Sequence, residues 1–239
     1  MTPLLLLLFG VAPMAAVGTD LWFAALTKAF AAPVHHRHRL IDWPVVKRLW
    51  AGSLPASTLT LYWLSSHRLE EAHVAMAKSA IAVAVLVTVV AMLLQKRLHE
   101  VGRRFRITEG SAFKAAQRPL TIVAGALPGL LVTATSVGAG ALGAVMLVYL
   151  YPLRLTPPRL IATDIVHALP LALFAGIGHL LLGNVDGTLL LNLLIGSIPA
   201  VVVGAALSAR LPHGVLRWAL MAVLLAVGIK LWLSAVTGH

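Results

Sequence analysis

Seven stretches of this chain stay predominantly apolar for about twenty residues or longer: Ala15–Val34, Val45–Leu64, Val74–Leu94, Leu120–Leu150, Leu160–Leu182, Leu189–Leu207 and Val215–Val236. Each is long enough to cross a hydrocarbon core of about 30 Å as a helix. Peptide groups in lipid have no water to bond, and a helix meets that demand within the segment itself. Charged residues are only 11% of the 239, where a soluble domain carries about a quarter. The predicted fold class is therefore all-α, a polytopic transmembrane helical bundle in a lipid bilayer. The chain has no cysteine, which excludes disulfides, thiolate metal sites and thiol nucleophiles. The opening "MTPLLLLLFG" lacks a basic n-region and a small-residue cleavage site, which argues against a signal peptide.

The formal net charge of +11 is concentrated. Seven of nineteen basic residues lie between Lys96 and Arg118, and four more between Arg37 and Arg48. Clusters in short connections between apolar spans follow the positive-inside rule. No aromatic-studded basic module accompanies them, so nucleic acid is not an expected partner.

The chain also repeats itself. Shifted by 144 residues, Thr19–Ala56 lies on Thr163–Ala200 without a gap, and twelve of thirty-eight positions are identical. Thr19 falls on Thr163, Asp20 on Asp164, His35 on His179 and Asp42 on Asp186. Shared apolar composition does not explain paired aspartates in a chain with eight acidic residues. The units are residues 1–95 and 120–239, joined by the basic linker 96–119, expected to be cytoplasmic. Secondary transporters are commonly built this way, with substrate at the repeat interface. "TSVGAGALGA", Thr135–Ala144, precedes the matching region in the second unit, and its counterpart would fall before Met1. The expectation is that the chain begins inside a repeat, short of an opening Gly-rich segment.

As one helix, Leu120–Tyr151 would be about 48 Å long and overshoot the bilayer by half. Pro128 and the run Ser136-Val137-Gly138-Ala139-Gly140 mark where it should break. If this segment crosses once, the loop basic residues divide eleven against six. If it folds back at the glycines, Arg154, Arg159, Arg210 and Arg217 join the linker side. The division becomes fifteen against two, Arg68 and Lys78. The second division fits the positive-inside rule better and makes the units inverted, with a broken or re-entrant Gly-rich helix.

Several polar residues sit where burial is costly. Lys28, beside Thr27, is either an anion ligand or a snorkelling anchor. Asp20 and Asp164 each follow a threonine, Thr19 and Thr163, at the start of an apolar run. They read as helix N-caps, as proton sites, or as a partner for Lys28. His167 lies three residues after Asp164 on the same helical face, which permits an Asp–His proton relay. His179 reads as a packing histidine or a second proton site. Ser136, Gly138 and Gly140 form either a close-packing surface or a break whose freed N–H groups bind an anion. The "HHRH" run His35–His38 has no nearby carboxylate or cysteine, so it reads as a protonatable loop edge rather than a metal tract. No metal or other cofactor is expected.

"MTPLLLLLFGVAPMAAVGTDLWFAALTK", "IDWPVVKRLWAGSLPA" and "TSVGAGALGAVMLVYLYP…TDIVHALPLALFAGIGHLLLGNVD" resemble the TauE/SafE sulfite-exporter family, in the same order and spacing across nearly the whole chain. The resemblance implies a multi-pass carrier in the bacterial inner membrane. Its implied substrates are small oxyanions or organic sulfonates, such as sulfite or sulfoacetate. The candidate site read from the residues themselves is Lys28, Thr27, Thr19, Ser136, Gly138, Gly140 and His167, with Asp20, Asp164 and His179 in proton-coupling or capping roles. The chain carries no HExxH, GxGD-like aspartyl pair or GxSxG, so an intramembrane enzyme is the weaker alternative. A non-transporting remnant is the other.

Overall fold

The computed structural model describes residues 1–37, 40–66, 71–108, 110–138, 140–208 and 213–237. Among these the fold is all helix: α1 (Thr2–Phe9), α2 (Pro13–Arg37), α3 (Trp43–Ser66), α4 (Glu71–Thr108), α5 (Gly110–Thr135), α6 (Ala141–Leu150), α7 (Pro157–Leu181), α8 (Gly187–Ser208) and α9 (His213–Thr237). Three are long and apolar enough to cross a membrane: Ala75–Phe105 of α4, Phe113–Thr135 of α5 and Pro157–Leu181 of α7. Their outer faces expose Val83, Val87, Val90, Val123, Ile161 and Ile177. Apolar surface of this extent belongs against lipid.

The basic linker is largely helical. Its Lys, Arg, Gln and Glu residues are good helix formers, so α4 continues to Thr108 and α5 resumes at Gly110.

The long apolar segment 120–151 breaks once, at the glycines. Helix α5 ends at Thr135, Ser136 and Gly138 take φ of 55° and 98°, and α6 begins at Ala141. The left-handed φ of Gly138 suits a residue without Cβ. Helix α6 then returns beside the first half of α5. Gln117 Nε2 donates to the Leu150 carbonyl at 2.6 Å, and the Phe113 and Tyr149 rings meet edge to face. The end of α6 thus lies beside the first half of α5.

Pro128 does not break the helix, contrary to expectation, and neither does Pro119. A proline removes one helical N–H bond, and a packed neighbour holds such a helix together in membranes. That neighbour is α3. Gly125 of α5 abuts the Leu49 carbonyl, and Gly52 of α3 abuts the Ile122 carbonyl, so the two backbones nearly touch around the proline.

Two cores fix the bundle. One joins Val17 and Leu21 of α2, Ile81 and Val85 of α4, Val132, Leu171, Ala175 and Leu231. The other joins Val45 and Leu49 of α3 with Ala124, Leu147, Leu150, Tyr151 and Leu160. The second core anchors the later part of α6, through Leu147 and Leu150, to α3, α5 and Leu160 of α7.

Candidate functional site

Helices α2 and α7 each carry a buried aspartate, and each aspartate meets the start of a short helix. Asp20 Oδ2 accepts the backbone N–H of Thr2 at 2.8 Å and the Thr2 hydroxyl at 2.7 Å, with the Met1 amino nitrogen at 3.0 Å. It thereby answers the unpaired donors in the first turn of α1. Asp164 lies against the first turn of α6. A Cβ on Gly140 would sit 3.8 Å from Asp164 Oδ2, and one on Gly143 would collide with Oδ1.

The two sites differ in one respect. Asp20 Oδ2 takes three donors from the head of α1, whereas Asp164 Oδ1 is buried and has no hydrogen-bond partner. His167, one turn along α7, is in the same condition. Its Nε2 pairs with Ser53 Oγ at 3.1 Å, while its buried Nδ1 has none. The head of α6, at Gly140, has no side-chain cap. Lys28, half-buried on α2, attracts the Asp164 carboxylate through space without a direct ion pair.

Neither aspartate caps its own helix, which corrects that reading. Helices α2 and α7 start at Pro13 and Pro157, each seven residues ahead of its aspartate. The prolines suit a first turn, where an N–H is unpaired in any case. The caps are Asp42 and Asp186 instead. Asp42 Oδ1 accepts the Val45 N–H at the start of α3, and Asp186 Oδ1 accepts the Leu189 N–H at the start of α8.

These caps reach across the molecule in matching fashion. The Asp42 N–H donates to Thr163 Oγ1 at 3.1 Å, and the Asp186 N–H donates to Thr19 Oγ1 at 3.0 Å. Thr19, expected beside substrate, is therefore buried and held by a backbone donor. Thr27 is turned onto its own helix, donating to the Phe23 and Ala24 carbonyls. Among the described residues Asp42 alone of the pair is clamped by arginine. Arg154 Nε and Nη2 bind its two oxygens at 2.6 and 2.8 Å, and Arg159 stands at 3.9 Å.

His179 is saturated. Its Nε2 lies 2.8 Å from the Thr133 carbonyl, which only accepts, so that nitrogen carries the proton. Its Nδ1 then accepts from Asn184 Nδ2 at 3.3 Å. The imidazole ties α7 to α5 and to the turn after α7.

The break itself borders this site. Ser136 N–H donates to the Val132 carbonyl at 2.7 Å, and the hydroxyl of Thr88 faces Gly138, 3.6 Å from where its Cβ would stand. Ala139, His38, Arg68 and Arg210 lie outside the described residues, as do the side chains of His35–Arg37. Among the described residues no group of three His, Cys, Asp or Glu side chains gathers to hold a metal.

Asp42, Asp186, Ser53 and Arg154 were not singled out as site residues by sequence reasoning. A signal existed for the first two: each is an aspartate opening a helical run, and the 144-residue shift superposes them. Ser53 and Arg154 reach the site only through packing of α3 and the turn after α6.

The chain matches the family described as sulfite exporter TauE/SafE over residues 1–231. It is 34% identical over 236 residues to a Bacillus subtilis (strain 168) protein named "Probable membrane transporter protein YjnA", covering 97% of this chain and 89% of that one. No solved structure matches it. The chain belongs to the TauE/SafE sulfite-exporter family and is a membrane transporter rather than an enzyme.

Proposed function

We propose that this protein is a multi-pass secondary transporter of the bacterial inner membrane that exports a small oxyanion or organic sulfonate, sulfite being the simplest candidate. The observation that carries the reading is the contrast at the two short helices. The head of α1 is closed by Asp20, while the head of α6 lies against Asp164, whose Oδ1 is buried without a partner, as is Nδ1 of His167 one turn along α7. Buried groups left in that state are costly unless function keeps them.

The chemistry follows from charge. An ionised Asp164 occupies the positive end of α6 and the attraction of Lys28, and it repels an incoming anion. A protonated Asp164 releases both. The oxyanion then finds first-turn N–H groups near Gly138 and Gly140, the Ser136 and Thr88 hydroxyls at the rim, and the Lys28 ammonium. Anion and proton therefore bind together, with His167 beside Asp164 to receive or pass the proton. A doubly charged oxyanion carried with one proton still leaves as a net anion, which an inside-negative membrane expels.

Residues 1–95 and 120–239 act as inverted units in this reading, with 96–119 on the cytoplasmic side. The reciprocal Thr–Asp bonds and the fold-back of α5 and α6 support it.

The test is sulfite flux from loaded proteoliposomes at several pH values, for the parent and Asp164→Asn. The variant mimics a permanently protonated site, so it should retain anion binding, lose net transport by at least about tenfold, and lose its pH dependence. An Asp164→Asn protein that transports with the parent's rate and pH profile overturns the reading.

A further inference from the structure

A second charged cavity lies away from the Asp164 site, where α6 ends. It encloses about 390 Å³ between Arg48 of α3, Lys114, Gln117 and Arg118 of α5, and Tyr151 and Arg154 after α6. Four of these residues are cations, and no carboxylate lines the cavity. Asp42 answers Arg154 from outside it. Among the described residues Lys114 and Arg118 make no ion pair, and Arg48 is held by a hydroxyl rather than an acid.

That hydroxyl is deliberately aimed. Thr121 donates its hydrogen to the Gln117 carbonyl, so Tyr151 must donate to Thr121 Oγ1, at 2.7 Å. The Tyr151 oxygen is then left to accept from Arg48 Nη1, at 3.1 Å. Arg48 spends one N–H on this chain, and its remaining N–H groups stay available to the cavity. Three cations without an acidic partner, one of them pre-positioned, converge on a space of ligand size. Such a cluster gives the space a positive potential that attracts anions.

The donors indicate which anion. Arginine presents a planar fork of N–H groups that matches phosphate oxygens, and Arg48, Arg118 and Arg154 all line this space. We propose that this cavity binds a phosphoryl group, either of free phosphate or of an anionic glycerophospholipid headgroup.

The experiment measures thermal unfolding by tryptophan fluorescence, together with lipid retained by the purified protein in native mass spectrometry. Vesicles of phosphatidylcholine alone are compared with phosphatidylcholine containing phosphatidylglycerol, and with phosphatidylcholine plus inorganic phosphate. Phosphatidylglycerol should raise the unfolding temperature of the parent and co-purify with it. The double variant Lys114→Gln/Arg118→Gln should lose the shift and retain phosphatidylglycerol on the order of 10–30-fold less well. The charge-preserving Lys114→Arg/Arg118→Lys should keep both. Arg97→Gln/Arg103→Gln, which removes equal charge from exposed positions of α4, should also keep both. An equal shift with inorganic phosphate alone supports the phosphoryl site and assigns it to the free ion. The proposal is overturned if neither phosphate source shifts the parent, if the Gln/Gln variant keeps the shift, or if the α4 control loses it equally.

Discussion

The backbone N–H of Asp186 donates to Thr19 Oγ1 at 3.0 Å, joining α2 to the start of α8 across 167 positions. The same bond recurs between Asp42 and Thr163 at 3.1 Å, joining α7 to the start of α3. Each threonine accepts from the cap of a helix in the other half of the chain, so the halves hold each other's helix starts.

That mutual hold is measurable. Thr19→Val or Thr163→Val keeps the side-chain shape and removes the acceptor, leaving a buried N–H unpaired. Each substitution should cost about 1–3 kcal/mol, visible as a lower unfolding temperature in detergent. Asp42 is buried and Asp186 exposed, so Thr163→Val should cost more. Equal, negligible effects would mean that water replaces both threonines.

Gly143 and Gly140 offer a paired test of the Asp164 site. Alanine at 143 drives its Cβ into Asp164 Oδ1, whereas alanine at 140 meets Oδ2 at an ordinary 3.8 Å. Gly143→Ala should therefore cost about 1–3 kcal/mol and reduce sulfite flux at least about tenfold. Gly140→Ala should remain close to the parent in both. The reverse ranking would place the functional carboxylate somewhere other than the first turn of α6.

Lys28 separates ligand from anchor. Its loss from a low-dielectric site should weaken anion binding by on the order of 2–5 kcal/mol. Lys28→Gln should stay folded and lose the thermal stabilisation that sulfite gives the parent. A variant still stabilised by sulfite makes Lys28 a snorkelling residue.

Topology is checked with two reporters. On the proposed cytoplasmic placement of the basic linker, a cysteine at Ser111 should resist an impermeant thiol reagent in intact cells and react after permeabilisation. A fusion after Thr156 should report the same side. Labelling of intact cells, or a periplasmic fusion, reverses the orientation or separates the two ends of α5–α6.

The helices were legible because lipid burial writes long apolar runs, and the break was legible because Ser136–Gly140 has little side chain to support a helix. Pro128 misled for a physical reason. A proline weakens its own helix, but whether the helix yields depends on α3, and no local pattern announces that Gly52 and Gly125 lie back to back. The aspartates at 20 and 164 were visible as anomalies. Their environments were not, because each meets a short helix distant in sequence. Lys28 illustrates the same limit: eight residues separate it from Asp20, yet the carboxylate it attracts belongs to Asp164.

Helix α6 has ten residues, about 15 Å of rise, half of a hydrocarbon layer of about 30 Å. In the proposed topology its end, beside Gln117, lies at the cytoplasmic boundary, which sets its head near the middle of the layer. A single charge arriving at Asp164 from either face traverses roughly half of the electric field, about 1.1 kcal/mol for each 100 mV. The remaining half is crossed on release. The site thus has an electrical distance near one half from both sides, so voltage acts on loading and unloading alike, and neither step alone carries the full electrogenic work.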